Sequence, residues 1–366
     1  MAPERAPARR VPPGRILRRE LDARGWSQKD LAAIIGRPEQ AVSEIMTGKK
    51  EITPETAIQL GEAFGTSAEL WMNLETSYRL WRAEKAEKDW GIARRRHLYT
   101  LAPVLEMVKL GWIAGSEDID ELEREVCAFL EIASPEETPT CAVSFRRGRV
   151  RGPEAASLTC WVKRVEHLVA QQGVKEFDRG KLETGIPAIL DCAASEKDLG
   201  KVPPLLLSKG VCFAVVPHLS RTYLDGAVFW VGKNPAVALT LRYSRIDSFW
   251  FTLMHELAHV VAGHRGSFLD TIYGREEEVV GRELEADCMA QNWLLEPGAY
   301  RSFVRRAKPY FSGKAIRDFA ASQGRHPGIV LGRLQFDGFV GFEHLRSLLV
   351  GVRPILEGWI DRPIAA

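Results

Sequence analysis

The sequence is short of the features that most directly assign a chain to a class. Its six cysteines (Cys127, Cys141, Cys160, Cys192, Cys212 and Cys288) are scattered over 366 residues without a C-x-x-C pair. That usage reads as a reducing compartment, with thiols serving as small apolar side chains. No uncharged run approaches the roughly 18 residues of a spanning helix. The opening MAPERAPARRVPPG has arginine and proline where a secretory signal has an apolar core. The expectation is a cytoplasmic chain with no membrane partner. Net charge is also small: 50 Lys and Arg against 48 Asp and Glu give +2, which excludes a broadly basic nucleic-acid coat protein.

The average hides an asymmetry. Residues 1–50 carry eleven basic side chains against six acids, whereas residues 51–75 carry five acids and no base. A polyanion-binding face therefore belongs in the first fifty residues. With 45% hydrophobic residues the chain is long enough for two or three cores. Patterning divides it into a flexible basic arm (1–13), short helices separated by turns (14–83), a mostly helical middle region (84–196), and strands followed by helices (197–366). The charge run from Ala83 to His97 reads as a solvated connecting helix, and His97, His167 and the tryptophans of the middle region as packing or surface residues.

Between residues 14 and 50, Ile16, Leu17 and Leu21 line one helix ending near Gly25. Ser27 is placed to cap a second helix, with Asp30 as its capping-box partner and Leu31, Ile34 and Ile35 on its apolar positions. Gly36 gives a tight turn, and Pro38 opens a third helix that runs to about Thr47, with Val42, Ile45 and Met46 as core. Helix, glycine turn, helix at this spacing is the helix-turn-helix unit, which lays its second helix in the DNA major groove.

The run WSQKDLAAIIGRPEQAVSEIMTGKKEITPETAIQLGEAFGTSAELWMNLETSY resembles the DNA-binding domain of HigA-type antitoxins. The resemblance implies a double-stranded DNA operator, with Ser27 and Gln28 on phosphates, Gln40 and Ser43 facing bases, and Lys49 and Lys50 adding phosphate contacts. Arg37 is counted on the same face. The two-fold symmetry of such operators leads us to expect a homodimer.

After Gly210 the pattern changes. GVCFAVVPHL, GAVFWVG and AVALTLR read as strands of a small sheet. Asp247 is placed as the N-cap of a helix with Trp250, Leu253, Met254, Leu257, Ala258 and Val261 on its buried stripe. In the H-E-L-A-H sequence on that helix, His255 and His259 are four apart and project from one face, where they can share a tetrahedral cation. Glu256 points beside that face, placed for a water activated by the metal. A second amphipathic helix, GRELEADCMAQNWLL, offers Glu283 as third ligand and Asp287 as acceptor of a ligand histidine's outer N–H. Three protein ligands are the coordination number of a catalytic zinc site. Glu276, Glu277, Glu278 and Glu285 remain alternatives to Glu283. His264 rotates off the ligand face, and Cys288 is read as core.

RIDSFWFTLMHELAHVVAGH and RELEADCMAQNWLLEP, with the later GRHPGIVLGRLQFDG, resemble the ImmA/IrrE metallo-endopeptidases. The resemblance implies Zn2+ and a peptidase that cleaves helix-turn-helix repressors. Glu256 would act as general base and then as proton donor to the leaving amine. His326, in GRHPG, is a candidate oxyanion donor.

The expected fold is α+β: an all-α helix-turn-helix domain, a helical middle region, and a zincin-like metallopeptidase domain of small sheet plus helices. The expected function is a DNA-binding regulator fused to a zinc endopeptidase that cleaves a helix-turn-helix repressor or its own N-terminal domain, with a toxin as a further partner. The alternative is an antitoxin-like repressor whose zinc domain senses or binds partners without turnover.

Overall fold

The computed structural model describes residues 11–84, 91–141, 153–220, 222, 224–264 and 276–361, by backbone alone at 84, 153 and 276–279. The chain packs as two compact units, Met1–Trp90 and Gly91–Ala366. Most of the expected basic arm, part of the charge run after Ala83, and the side chains of Glu276, Glu277 and Glu278 lie outside the described residues.

The first unit contains α1 (Pro13–Arg24), α2 (Gln28–Ile35), α3 (Glu39–Met46), α4 (Pro54–Phe64) and α5 (Ala68–Glu84). Leu17, Leu21, Leu31, Val42, Ile45 and Trp71 meet in one core. Local signals set its boundaries. Both halves of the Ser27–Asp30 capping box form at the start of α2. Pro38 is the N-cap of α3, so that helix begins one residue later than expected. Ile34, expected on the apolar face of α2, is 49% exposed.

The second unit is built on a three-stranded sheet of order β1-β3-β2, with β1 Cys212–Val215, β2 Gly226–Val231 and β3 Asn234–Leu239. β1 runs parallel to β3, and β2 pairs with it antiparallel. Alternation sends successive side chains to opposite faces. Cys212, Ala214, Ala227 and Phe229 pack with the second unit's early helices: α6 (Ile92–Leu101), α7 (Val104–Lys109), α8 (Ile119–Leu130) and α9 (Pro153–Ala170). The segment before residue 196 is thus not separated from the sheet by a break in packing. A sheet with two apolar faces needs a layer on each, and these helices supply one of them.

Phe213, Val215, Val228 and Leu239 face the other way, into a core shared with α10 (Arg179–Glu183), α11 (Ile186–Asp191), α12 (Val202–Ser208) and α13 (Ile246–Ala262). The later helices complete that layer: α14 (Glu276–Leu294), α15 (Pro297–Ala307), α16 (Gly313–Ser322) and α17 (Pro327–Phe336). The six stripe residues expected on α13 are all buried.

The two sheet edges differ. On β1, the Gln172 side chain brackets Phe213, donating to its carbonyl at 2.5 Å and accepting from its N–H at 3.1 Å. Ile360 bridges Val215 in parallel, and the Asp361 N–H donates to the Val215 carbonyl at 2.8 Å. β2 lies at the other edge, beside α13. No helix among the described residues is long and apolar enough to cross a membrane.

Candidate functional site

α13 and α14 bring the expected ligands together. The Nε2 atoms of His255 and His259 are 3.0 Å apart. Glu283 Oε2 lies 3.1 Å from the first and Oε1 3.2 Å from the second. Ligands held at about 2.0–2.1 Å around a tetrahedral zinc sit about 3.3–3.4 Å from one another, so the triangle is near the size that ion requires.

The outer ring atoms decide what the triangle can hold. His255 Nδ1 lies 2.8 Å from Asp287 Oδ1. An ionised carboxylate only accepts, so this nitrogen carries the proton. His259 Nδ1 lies 3.0 Å from His264 Nδ1, while His264 Nε2 lies 3.2 Å from Glu285 Oε2. Read outward from Glu285, the network places a proton on His264 Nε2, a lone pair on His264 Nδ1 and a proton on His259 Nδ1. Both inward Nε2 atoms of neutral imidazoles are then acceptors, and they face a third acceptor in Glu283. Three mutually repelling lone-pair groups are a donor set for a cation.

Without a cation the cluster takes up a proton. Burial pushes the His255 imidazole down, but the Asp287 and Glu283 carboxylates outweigh it and raise the ring to about 10. Burial works against the Glu283 charge as well, yet the two histidines beside it hold this carboxyl well below its usual range. Glu256 is 4% exposed, and burial pushes its carboxyl up to about 7 against the opposing pull of the two histidines.

The Val228 backbone on β2 also acts on Glu256, favouring its charged form. Gly226, at the start of that strand, allows the close approach: a Cβ there would lie 2.6 Å from Thr252 Cγ2 and 3.2 Å from Glu256 Oε1. The pairing of α13 with β2 therefore fixes the proposed base beside the ligand triangle.

Several expectations near the centre are corrected. Asp247 is not the N-cap of α13; Arg245 takes that position in an extended conformation. Asp247 is buried in the first turn and pairs with the Arg245 guanidinium through contacts of 2.8 and 3.1 Å. His326 Nδ1 accepts from the Gly328 N–H at 3.1 Å and caps α17, which leaves Nε2 as the ring's donor, 3.5 Å from Glu196 Oε2. Cys288 is exposed, since Ala286 and Ala290 take the buried positions on that part of α14. Glu285 meets His264 and is not part of the ligand triangle.

In the first unit, Ser27 and Gln40 are exposed, as are Lys49 and Lys50 just after α3, whereas Gln28 and Ser43 are half-buried. The Ser27 hydroxyl lies 2.8 Å from Asp30 Oδ2, so it is held in the capping box. Arg37 donates to Gln59 Oε1 at 2.5 Å, and Gln40 donates to Glu44 Oε1 at 3.1 Å. Glu44 engages the Gln40 amide because the two stand four apart on one helix.

The helix-turn-helix family matches residues 17–71. The chain is 34% identical over 88 residues to an uncharacterised HTH-type transcriptional regulator, YddM, of Escherichia coli (strain K12), a match covering 24% of this chain and 90% of the relative. It is 35% identical over 83 residues to virulence-associated protein I of Dichelobacter nodosus, covering 22% and 77%. Among solved structures it is similar to the Pseudomonas aeruginosa antitoxin HigA with the higBA promoter, at 38% identity, 21% of this chain, 86% of that chain and a TM-score of 0.21. An addiction module antidote protein of a HigA family from Coxiella burnetii matches at 33% identity, 24% of this chain, 95% of that chain and a TM-score of 0.22.

Proposed function

Taking as premise that the chain belongs, through its N-terminal unit, to the helix-turn-helix family, with HigA-like antitoxins among its relatives, we propose that it is a DNA-binding regulator joined to a zinc-dependent endopeptidase. The observation that carries the enzymatic half is the triangle of acceptor atoms on His255, His259 and Glu283, with Glu256 buried beside it.

In this reading the three residues hold Zn2+. When bound, the ion supplies Lewis acidity toward a carbonyl oxygen and makes a water acidic near neutral pH. Asp287 and the His264–Glu285 pair keep both ring protons on Nδ1, so that both Nε2 atoms stay available. Glu256 takes a proton from the attacking water and returns it to the leaving amine. β2, the edge strand beside Glu256, offers main-chain partners to an extended peptide. The substrate is a helix-turn-helix repressor or this chain's own N-terminal unit.

The DNA-binding half carries the base-facing positions Gln40 and Ser43 on α3, with Lys49 and Lys50 on phosphates of a double-stranded operator. It acts as a homodimer, and the HigA-like relatives favour a toxin as a further partner.

The test is zinc content by plasma mass spectrometry of the wild type and His255→Ala, with each incubated beside Glu256→Gln and scored for self-cleavage and for cleavage of the purified repressor-like N-terminal segment. One zinc per chain, lost in His255→Ala, with cleavage abolished by Glu256→Gln, is the expected result. Zinc without cleavage would favour a repressor carrying a metal-dependent sensor. Absence of zinc after loading would end the metallopeptidase reading.

A further inference from the structure

A cavity of about 580 Å3 lies away from the ligand triangle, at the far end of α14. Its volume is in the range of small-molecule sites. Leu295, Val304 and Phe339 give it apolar walls, and Arg301, Arg305 and Arg333 line it as well.

The charge around this cavity is unbalanced. Among the described residues Asp337 is the only carboxylate in its lining, and it already accepts from the Tyr300 hydroxyl at 2.7 Å and from Arg333 Nε at 2.9 Å. Arg333 Nη1 is buried with no hydrogen-bond partner among the described residues. Arg301 and Arg305 are four apart on α15, where like charges repel, and no described carboxylate lies within ion-pair distance of either. Glu296, whose carboxylate feels the Arg301 charge, is occupied in capping α15 through Gly298 and Ala299. Three guanidinium groups thus line the cavity beside an apolar wall, with one carboxylate that Arg333 already engages.

We propose that this cavity binds a small organic anion, a carboxylate or phosphate monoester carried on an apolar body. Arg301 and Arg305 hold the anionic group, and Leu295, Val304 and Phe339 cover the body. The site is independent of the metal reading, because none of its lining residues belongs to the ligand triangle.

The test is calorimetric titration of the full chain with 4-phenylbutyrate and with phenyl phosphate, and with neutral 4-phenylbutanol as control. Whichever anion binds better identifies the preferred acid. We expect one molecule bound per chain, weakened at least about tenfold in the Arg301→Gln/Arg305→Gln double variant, since each lost charge-assisted bond is worth that much or more. The alcohol should bind more weakly by a similar factor. Both arginines are exposed, so the double variant keeps its fold, which an unchanged melting temperature checks. Asn292→Trp, at an exposed position of the rim, should block the cavity, and His255→Ala should leave binding unchanged. No saturable binding of either anion, or binding indifferent to the double variant, overturns the proposal.

Discussion

His259 and His264 meet through their Nδ1 atoms at 3.0 Å, although a helical wheel sets residues five apart on different faces. α13 ends at Gly263, whose φ of 76° lies in the left-handed region, and the chain turns His264 back onto the outer side of His259. If this contact fixes the His259 tautomer, His264→Ala should weaken zinc binding by about 10–100-fold, the usual cost of losing such a partner. Glu285→Gln should give a smaller loss in the same direction. Competition with a chromophoric chelator measures both, and wild-type affinity in His264→Ala would remove the pair from the site.

Ser27 and the lysines after α3 should separate in their effects. Ser27→Ala loses the capping box and should cost about 1 kcal/mol of stability in the first unit. Lys49→Gln and Lys50→Gln, both at exposed positions, should leave melting unchanged. Each should instead lower the salt dependence of DNA binding by about one phosphate contact. Thermal melts and binding isotherms over a salt series distinguish the two classes. A stability loss in the lysine variants without a change in salt slope would refute their assignment to phosphates.

Gly226→Ala tests the spacing between β2 and α13. The added methyl meets Thr252 and the Glu256 carboxylate, so we expect about 1–3 kcal/mol of destabilisation from overpacking. Zinc content should be retained while peptide hydrolysis falls, because the added methyl meets Glu256 and Thr252 and none of the three candidate ligands. Full turnover in this variant would show that the close approach is dispensable.

The thiols give a prediction in pH. Burial disfavours the thiolate, raising Cys160 to about 12 and Cys212 to about 11. Neither should react with iodoacetamide up to about pH 9, since the nucleophile is the thiolate and these groups remain protonated there. Cys288 is exposed and should label under native conditions. Peptide mass mapping after brief treatment reads all three, and labelling of Cys160 in the folded protein would contradict its burial.

The candidate centre was legible where its geometry is local. His255 and His259 share a helical face by spacing alone, and Glu283 and Asp287 do so on a second helix, so only the meeting of α13 with α14 had to be supplied by the fold. His264 stays out of the ligand triangle, as its spacing predicts, but it meets the outer side of His259 because helical periodicity stops at the Gly263 cap. Asp247 departs from its expected N-cap place for a local reason: Arg245, two residues before it, takes the cap and holds its carboxylate. The middle helices showed apolar spacing but no sign of which surface they cover. Their partner is the face of a sheet formed from residues 212–239. In the first unit, by contrast, caps and glycine turns set nearly every boundary, and the helices followed from them.

The closure of β1 by Ile360 and Asp361 bears on how the second unit comes to exist in a growing cell. Asp361 also accepts from Trp112 at 2.8 Å and pairs with Arg164 at 2.6 Å, so one late residue joins the sheet edge to the helices on its face. On the ribosome, the three ligand positions emerge well before this clasp is synthesised. The first unit needs nothing after α5 for its core, and so can fold and find DNA while the remainder is still a nascent chain. Translation thereby orders the two halves in time, with the DNA-binding module ready before the clasp that closes the sheet edge of the second unit is made.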